Sequence, residues 1–316
     1  MRSIARKWFR RLVVLGSVCL LAGIGFSIYV GRQLVAPVPR AIGPPPEFLG
    51  GVTVKFPSRS GSMIAGWLTE GRSANGCILL LHAIRADRRS MADRARFLRD
   101  EGYHTLCIDF QAHGESPGEH ITMGHLESMD AAAGVAFLRE RYPGLPVAVI
   151  GTSLGGASAL MADYVYPPEA LVVEAVFADA ETAIGNRLEM RFGRIGRMLT
   201  PLLTWQMQPS LGIDPATLSP VRAAASVEEP VFVLFGAEDR HARPSEAQAI
   251  YAALKGPKEI WEIAGAAHLD LHRYAGREYE KRVGRFLAAH LHLQKANKSS
   301  LPTGMNPTTS TPTALP

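Results

Sequence analysis

The chain has 316 residues, of which 47% are hydrophobic and 20% are charged. This composition excludes a disordered chain and provides enough apolar side chains for one large core. Three cysteines are too few for a disulfide scaffold. The net charge of +5 is matched by five basic residues within residues 2–11, a segment without acidic residues. We therefore expect no nucleic-acid-binding surface on the remaining chain.

An uncharged apolar segment, residues 12–30, follows this basic cluster. As a helix it would be about 28 Å long, close to the hydrocarbon thickness of a bilayer. The positive-inside rule then predicts a transmembrane signal anchor, with residues 1–11 in the cytoplasm and the remaining chain outside it, on the periplasmic side. A cleaved signal peptide is the alternative, but the apolar run exceeds the usual length of about 7–15 residues and no A-x-A cleavage site follows.

The composition divides the rest of the chain into three parts. Residues 31–49 are rich in proline and predict an extended linker. Residues 50–292 contain the apolar patterns of a folded domain. Residues 293–316 are dominated by Ser, Thr, Pro and Asn and predict a disordered tail.

Short apolar runs alternate with helical patterns in the folded domain. Nearly continuous runs of Val, Ile, Leu and Phe predict strands that are covered on both faces, as in a parallel sheet. These strands are 76–82, 104–110, 147–151, 170–177 and 230–236. Helical spacing with charged outer faces covers 90–103, 125–142 and 246–254. The alternation predicts an α/β fold with right-handed crossovers.

Two runs near the start of this domain, 51–56 and 63–70, alternate more strongly and predict an antiparallel hairpin at the sheet edge. Segment 258–272 begins with a final strand. Residues 180–220 interrupt the rhythm and predict short helices inserted over the sheet as a lid. Cys77 and Cys107 fall in two strands out of register, so we expect two free buried thiols rather than a disulfide.

The most informative stretch is Gly151-Thr152-Ser153-Leu154-Gly155, which joins a buried strand to a helix. This is G-x-S-x-G in the strand–turn–helix context that a nucleophile elbow requires. Such a turn lifts the serine hydroxyl above the sheet edge, and glycines two residues away on each side make room for the backbone. The helix start aims the Leu154 N–H at the site, where it can bind a developing oxyanion.

With this motif the sequence resembles the α/β-hydrolase superfamily. More narrowly, it is similar to a small-lid bacterial branch related to serine aminopeptidases and acylaminoacyl-peptidase-like esterases. The resemblance covers about residues 50–290 and implies a mostly parallel eight-stranded sheet with helices on both faces. It does not imply a substrate, because the superfamily hosts many chemistries.

The resemblance implies a triad in the order Ser, acid, His. Asp239 follows the strand 230–236 and is the expected acid, with Glu238 as the alternative. His268, in the loop after the last strand, is the expected base. His272 lies one helical turn later and is expected at the surface; the pair has no intervening metalloprotease glutamate, so we predict neither a metal nor another cofactor.

The second oxyanion donor is expected in the loop after strand 76–82. The resemblance implies His-Gly there, whereas this chain has His82-Ala83. The Ile84 N–H is the first candidate and the Ala83 N–H the second. The segment 108–118 resembles the family's D-x-x-G-H-G-x-S turn, in which Asp109 and His113 are expected to be structural.

These residues together predict a membrane-anchored serine hydrolase that cleaves carboxylic esters through an acyl-enzyme. An amide or peptide hydrolase and an acyl thioesterase are the alternatives, and a catalytically inactive, membrane-tethered binding module is the non-enzyme alternative. The expected partners are a small acyl substrate and the membrane. We further expect part of residues 180–220 to line an acyl pocket; the alternative is that this segment packs wholly onto the sheet.

Overall fold

The structure, a computed structural model, describes residues 2–73 and 75–297. Its centre is an eight-stranded sheet with the spatial order β8-β7-β6-β5-β3-β4-β2-β1. In chain order the strands are β1 (Val52–Pro57), β2 (Met63–Thr69), β3 (Cys77–Leu81), β4 (His104–Ile108), β5 (Val147–Thr152), β6 (Ala170–Glu174), β7 (Val231–Gly236) and β8 (Lys258–Ile263). The α/β fold and each predicted strand are confirmed.

The sheet is parallel except at one edge, where β2 runs antiparallel to β1 and to β4. Every residue of β3 to β7 is buried except Thr152, because helices cover both faces. Cys77 lies opposite His104 and Cys107 opposite Leu80, so the two thiols are three residues out of register. Both are free and buried, as predicted.

Eleven α-helices accompany the sheet in the described residues. They are α1 (Arg2–Val35), α2 (Ala92–Asp100), α3 (His125–Arg141), α4 (Leu154–Met161), α5 (Ala180–Met198), α6 (Thr200–Thr204), α7 (Met207–Leu211), α8 (Pro220–Ala224), α9 (Pro244–Ala253), α10 (Leu271–Ala275) and α11 (Arg277–Asn297). Helices α3, α4, α8 and α9 contribute to the core on one face of the sheet. Helices α2 and α11 contribute to the core on the other face.

The insertion between β6 and β7, which we call the lid, contains α5, α6, α7 and α8. Leu203 and Met207 are buried, whereas Phe192, Ile195 and Met198 are exposed. The segment therefore has apolar side chains on its outer surface as well as apolar side chains that pack inward. Gly193 breaks α5 near its end with a left-handed φ of 64°, a conformation that suits glycine because it has no Cβ.

The N-terminal helix is longer than the apolar segment 12–30 on which it was predicted. It continues to Val35 because no proline or charge cluster interrupts it before Pro37. Its segment Arg6–Val35 is long and apolar enough to cross a membrane. The predicted linker over 31–49 therefore begins five residues too early. At the other end, α11 runs to Asn297, since residues 293–297 are mostly good helix formers; residues 298–316 of the predicted tail lie outside the described residues.

The rest of the linker is bound to the domain rather than extended through solvent. Residues 36–43, which we call the strap, lie against the loop after β4. The backbone N–H groups of Val38 and Arg40 donate to the carbonyls of Ala112 and Gly114, each at 2.8 Å. The next part is held by Glu115, whose Oε1 accepts from two strap N–H groups at 2.9 Å.

Asp130 on α3 joins three parts of the fold and has an unusual ionisation. Its side chain is fully buried and accepts hydrogen bonds from the Ser60 hydroxyl at 2.6 Å and from the Gln111 N–H at 2.8 Å. Burial raises the pKa of this carboxyl to about 7, above the value of about 3.9 for an exposed aspartate. The folded state therefore binds the proton more tightly than the unfolded state does.

We predict that Asp130→Asn removes a pH dependence of stability. Because the folded pKa is raised, wild-type protein loses stability as the pH rises from about 4 to about 7, and the neutral amide does not. Thermal unfolding of the detergent-purified chain gives an unfolding temperature for the variant and for wild type at each pH. The variant's temperature minus that of wild type should increase between pH 5 and pH 8. Asp163→Asn, an exposed carboxylate, is the control. A temperature difference that stays constant with pH would contradict the assignment.

Candidate active site

Ser153 lies in a strained turn between β5 and α4. Its backbone has φ 52° and ψ −109°, a conformation that L-residues rarely adopt. The turn requires its flanking glycines, since a Cβ at Gly155 would overlap the Leu81 carbonyl and a Cβ at Gly151 would overlap the Gly155 backbone. The sequence thus builds the nucleophile elbow through close backbone contacts that glycine permits.

The structure brings Asp239 and His268 together. His268 Nδ1 lies 2.7 Å from Asp239 Oδ2. Asp239 is buried, and its other oxygen accepts the N–H groups of His241 and Ala242 at 2.8 and 2.9 Å. These bonds give both carboxylate oxygens a hydrogen-bond partner and fix the orientation of the side chain. Glu238, by contrast, is exposed.

The His268 imidazole keeps one nitrogen, Nε2, free of Asp239. Strands β5, β7 and β8 are parallel, so the loops that follow them meet at one sheet edge, which carries Ser153, Asp239 and His268. No hydrogen bond joins the Ser153 hydroxyl to His268 in the described residues. Bonds of this kind often tighten only when substrate binds.

His241 lies beside the candidate base, with its ring centroid 4.8 Å from that of His268. Burial, and then the neighbouring His268, lower the pKa of His241. Asn186 on α5 donates to the His241 carbonyl at 3.1 Å and to Glu246 at 2.6 Å, which attaches the lid to the loop that holds Asp239.

The two expected oxyanion donors lie at the start of α4 and in the turn after β3. Leu154 is the first residue of α4, so its N–H has no partner within the helix. The Ile84 N–H lies in the turn after β3, and within the described residues neither amide donates a hydrogen bond. Gly155 packs against Leu81 at the end of β3, so the elbow and this turn are adjacent.

A buried polar network that sequence reasoning missed links the elbow to the histidine loop. Glu174, at the end of β6, accepts from the Thr152 hydroxyl at 3.1 Å and pairs with Arg94 at 2.7 Å. The same Arg94 nitrogen reaches Asp270 at 2.8 Å. The Tyr279 hydroxyl also donates to Glu174. The network therefore connects the residues beside Ser153 and those beside His268.

One feature of the sequence indicates this network. Glu174 is a single carboxylate inside the apolar run 170–177, and a buried charge needs a buried partner. The prediction of a charged outer face for helix 90–103 does not hold at Arg94, whose side chain is buried. Helical spacing alone does not distinguish an arginine that faces solvent from one that pairs inward.

The chain is similar to known proteins in sequence and in structure. The model of the family described as "Serine aminopeptidase, S33" matches residues 72–222. An esterase from Pyrococcus furiosus has a similar structure, with a TM-score of 0.67 and 25% identity, over 81% of this chain and 98% of that protein. The chain belongs to the α/β-hydrolase superfamily.

Two further matches are more distant in sequence. An acylaminoacyl peptidase from Pyrococcus horikoshii superposes with a TM-score of 0.57 at 17% identity, over 81% of this chain and 43% of that protein. The uncharacterized protein YqkD of Bacillus subtilis is 22% identical over 237 residues, which are 73% of this chain and 77% of that protein.

Two further histidines of this hydrolase, His82 and His113, bind backbone groups near the site. His82 is fully buried; its Nδ1 bonds the Ala83 carbonyl at 2.7 Å and its Nε2 accepts the Phe110 N–H at 3.2 Å. Burial, with a contribution from His113, lowers the pKa of His82 to about 3. His113 Nε2 accepts the Arg85 N–H at 3.1 Å. Both rings therefore shape the turn that carries Ile84.

Two further expectations concern Asp109 and His272. Asp109 is fully buried, pairs with Arg88 and accepts the N–H groups of Arg88 and Glu115 at 2.8 and 2.9 Å, which is a structural arrangement. The expectation that His272 lies at the surface is wrong. It is buried because α10 packs into the core beside α2 and α11, and it contacts Glu280 at 3.1 Å.

We predict that Arg94→Met destabilises this hydrolase by about 3–5 kcal/mol, because Glu174 would be left as an unpaired buried charge. Arg94→Met combined with Glu174→Gln should recover most of the loss, since neither charge remains. Denaturant unfolding of the full chain measures both. Arg96→Met, on the exposed face of the same helix, is the matched control. A double variant as unstable as the single one would show that the charge is not the cause.

Proposed function

We propose that this protein is a membrane-anchored serine hydrolase that cleaves carboxylic esters. The observation that carries the proposal is the 2.7 Å bond between His268 and a buried Asp239, at the sheet edge where Ser153 occupies a strained elbow. Nucleophile, base and orienting acid in this arrangement are the parts that acyl transfer needs.

In the proposed reaction Ser153 Oγ attacks the ester carbonyl carbon while His268 Nε2 takes the hydroxyl proton. Asp239 holds Nδ1–H, which fixes the tautomer and stabilises the imidazolium. The tetrahedral intermediate collapses, and the alcohol leaves with the proton from His268. Water then attacks the acyl-enzyme with His268 again as base, and the acid product and free Ser153 result.

The N–H groups of Leu154 and Ile84 are the proposed oxyanion donors. Both are free of other partners in the described residues, and α4 adds the positive end of its dipole at Leu154. Ala83, in place of the family's glycine, narrows the backbone freedom of the turn. The bond from His82 Nδ1 to the Ala83 carbonyl and the bond that His113 Nε2 accepts from the Arg85 N–H hold that turn in one shape, so the donors are set before substrate arrives.

An ester is favoured because the esterase from Pyrococcus furiosus is similar over 81% of this chain at 25% identity. An amide substrate is the second candidate, favoured by the match to the serine aminopeptidase family. A panel of p-nitrophenyl acyl esters, aminoacyl amides and acyl thioesters, offered to the full chain in detergent, distinguishes them. Faster turnover of amides than of esters would reverse the order.

We propose that α1 is the membrane anchor. Most of the window that identifies its apolar stretch is exposed, with only 6% of it buried against the domain, so its side chains need an apolar surrounding. The basic residues before it favour a cytoplasmic N-terminus. The hydrolase domain then lies outside the cytoplasm.

We predict that a fluorophosphonate labels wild-type protein at Ser153 and that Ser153→Ala abolishes labelling. His268→Ala should abolish it nearly as fully, because the hydroxyl is activated only by a base. Asp239→Asn should lower kcat by about 10⁴, since the imidazole tautomer is lost. The effects should not add in double variants, because the three groups act as a unit.

Glu238→Gln is the matched control for the acid and should keep most activity. If Glu238→Gln is damaging and Asp239→Asn mild, the acid is wrong by one residue. If folded wild-type protein neither labels nor hydrolyses any ester, amide or thioester, the enzyme assignment fails in favour of a binding module.

We predict that alkaline phosphatase fused after residue 45 is active, because that enzyme works only outside the cytoplasm. A second fusion after residue 11 should be inactive. Sequencing the N-terminus of the membrane-extracted protein checks the anchor. An inactive fusion at residue 45 refutes the orientation, and a mature chain that starts after residue 30 refutes the uncleaved anchor.

A further inference from the structure

The lid has an exposed apolar surface beside α1. We call this surface the outer lid face; it consists of Phe192, Ile195, Met198, Leu199, Leu202 and Trp205. Met198 is 78% exposed and Ile195 71% exposed. Large apolar side chains grouped in this way mark a surface that meets another apolar phase.

The anchor helix contacts the lid directly. Ser27 on α1 donates its hydroxyl to the Leu202 carbonyl, and Gln206 Nε2 donates to both the carbonyl and the hydroxyl of Ser27 at 3.2 Å. Both side chains are buried by the contact. Gly31 permits it, since a Cβ there would overlap the Gln206 side chain. The outer lid face is therefore continuous with the surface of α1.

The position of this contact sets the depth of the lid. Ser27 lies three residues before Val30, the end of the apolar run, which is about 4.5 Å along a helix. If the run 12–30 fills the hydrocarbon, Ser27 and its partner Leu202 lie just inside the hydrocarbon boundary. An apolar helix at a bilayer surface buries its face to about 5–10 Å, which is the same level.

The charges around the outer lid face fit phospholipid headgroups. Arg191 and Arg194 are exposed on either side of the break at Gly193, and neither forms an ion pair within the described residues. Arg197, by contrast, pairs with Glu189 at 3.0 Å. Free guanidinium groups next to exposed apolar side chains are the pattern of an interfacial segment on an anionic bilayer.

We infer that the outer lid face lies in the bilayer surface beside α1 and that the acyl substrate enters the site from the lipid. This inference rests on the proposed anchor and serine hydrolase. The lid begins where β6 ends, at the sheet edge that carries Ser153, so a lid held in the bilayer brings that edge close to the membrane. The corresponding substrate class is an acyl ester carried by a membrane lipid.

The test places one fluorophore at each of three depths in the full chain. In the first protein the dye NBD is attached to native Cys19 and reports on the anchor. Two further proteins lack this cysteine through Cys19→Ala. One carries Met198→Cys and reports on the lid, and the other carries Val165→Cys and is the control. Val165 is also 78% exposed but lies between α4 and β6, at the opposite edge of the sheet. Cys77 and Cys107 are buried, with pKa values raised to about 12, and stay unlabelled.

The labelled proteins are reconstituted in phosphatidylcholine–phosphatidylglycerol vesicles that contain doxyl-labelled lipids. These lipids should lower the NBD fluorescence at Cys19 and at position 198 at least about twofold, and should not lower it at position 165. Ile195→Cys repeats the lid measurement. No quenching at Cys19 refutes the anchor and this inference with it. Quenching at Cys19 but not at positions 198 and 195 refutes the inference alone. Iodide, an aqueous quencher, gives the remaining outcome. If the dye at position 198 is protected from iodide but is not quenched by the doxyl lipids, a protein covers the lid and the inference is refuted.

The substrate part is tested by a ratio of rates. Ile195→Gln with Met198→Gln should lower the turnover of a vesicle-borne long-chain ester, relative to soluble p-nitrophenyl acetate, by about fivefold or more, since a polar face binds the interface less well. Val165→Gln is the control and should leave the ratio unchanged. An unchanged ratio in the lid variant refutes entry from the lipid. Absence of any turnover in wild-type protein refutes the proposed hydrolase instead.

Discussion

The buried pair of Glu174 and Arg94 is the interaction on which the arrangement of the site depends. Glu174 ends β6, and its own backbone carbonyl accepts the Ser153 N–H at 2.7 Å. Arg94 pairs with Glu174 and also with Asp270, which lies two residues after His268. Two charges without water are costly, and only complete pairing offsets that cost. The pair therefore favours one relative position of the elbow and the histidine loop.

A second constraint is steric and concerns the same elbow. Gly151, Gly155 and the Leu81 backbone approach so closely that side chains cannot intervene. This contact brings the turn after β3 beside the start of α4, where the two proposed oxyanion donors lie. Strain at Ser153 is thus maintained by packing on both sides and not by the turn alone. Backbone contacts and the ion pair act on different neighbours of Ser153.

The sequence was sufficient for features that depend on local pattern. Buried strands appear as apolar runs, and the elbow appears as glycines at fixed spacing, so the sheet and the position of Ser153 could be predicted. Asp239 could be preferred over its neighbour Glu238 from its place after a strand, but only the folded loop shows that Asp239 contacts His268. Arg94 and His272 resemble surface residues because their partners come from distant parts of the chain. The strap was equally hidden, since a proline-rich segment gives no sign of the backbone groups it will meet.

The strap has a consequence for where such an enzyme could work. An unbound segment over residues 36–50 could extend about 50 Å and let the domain search the space above the bilayer. The hydrogen bonds that residues between Val38 and Gly43 form with the domain prevent this extension. With α1 in a bilayer, the site would have almost no reach, and its turnover would depend on lateral diffusion of molecules within its own leaflet. Acyl compounds on a facing membrane would be inaccessible, however abundant they were.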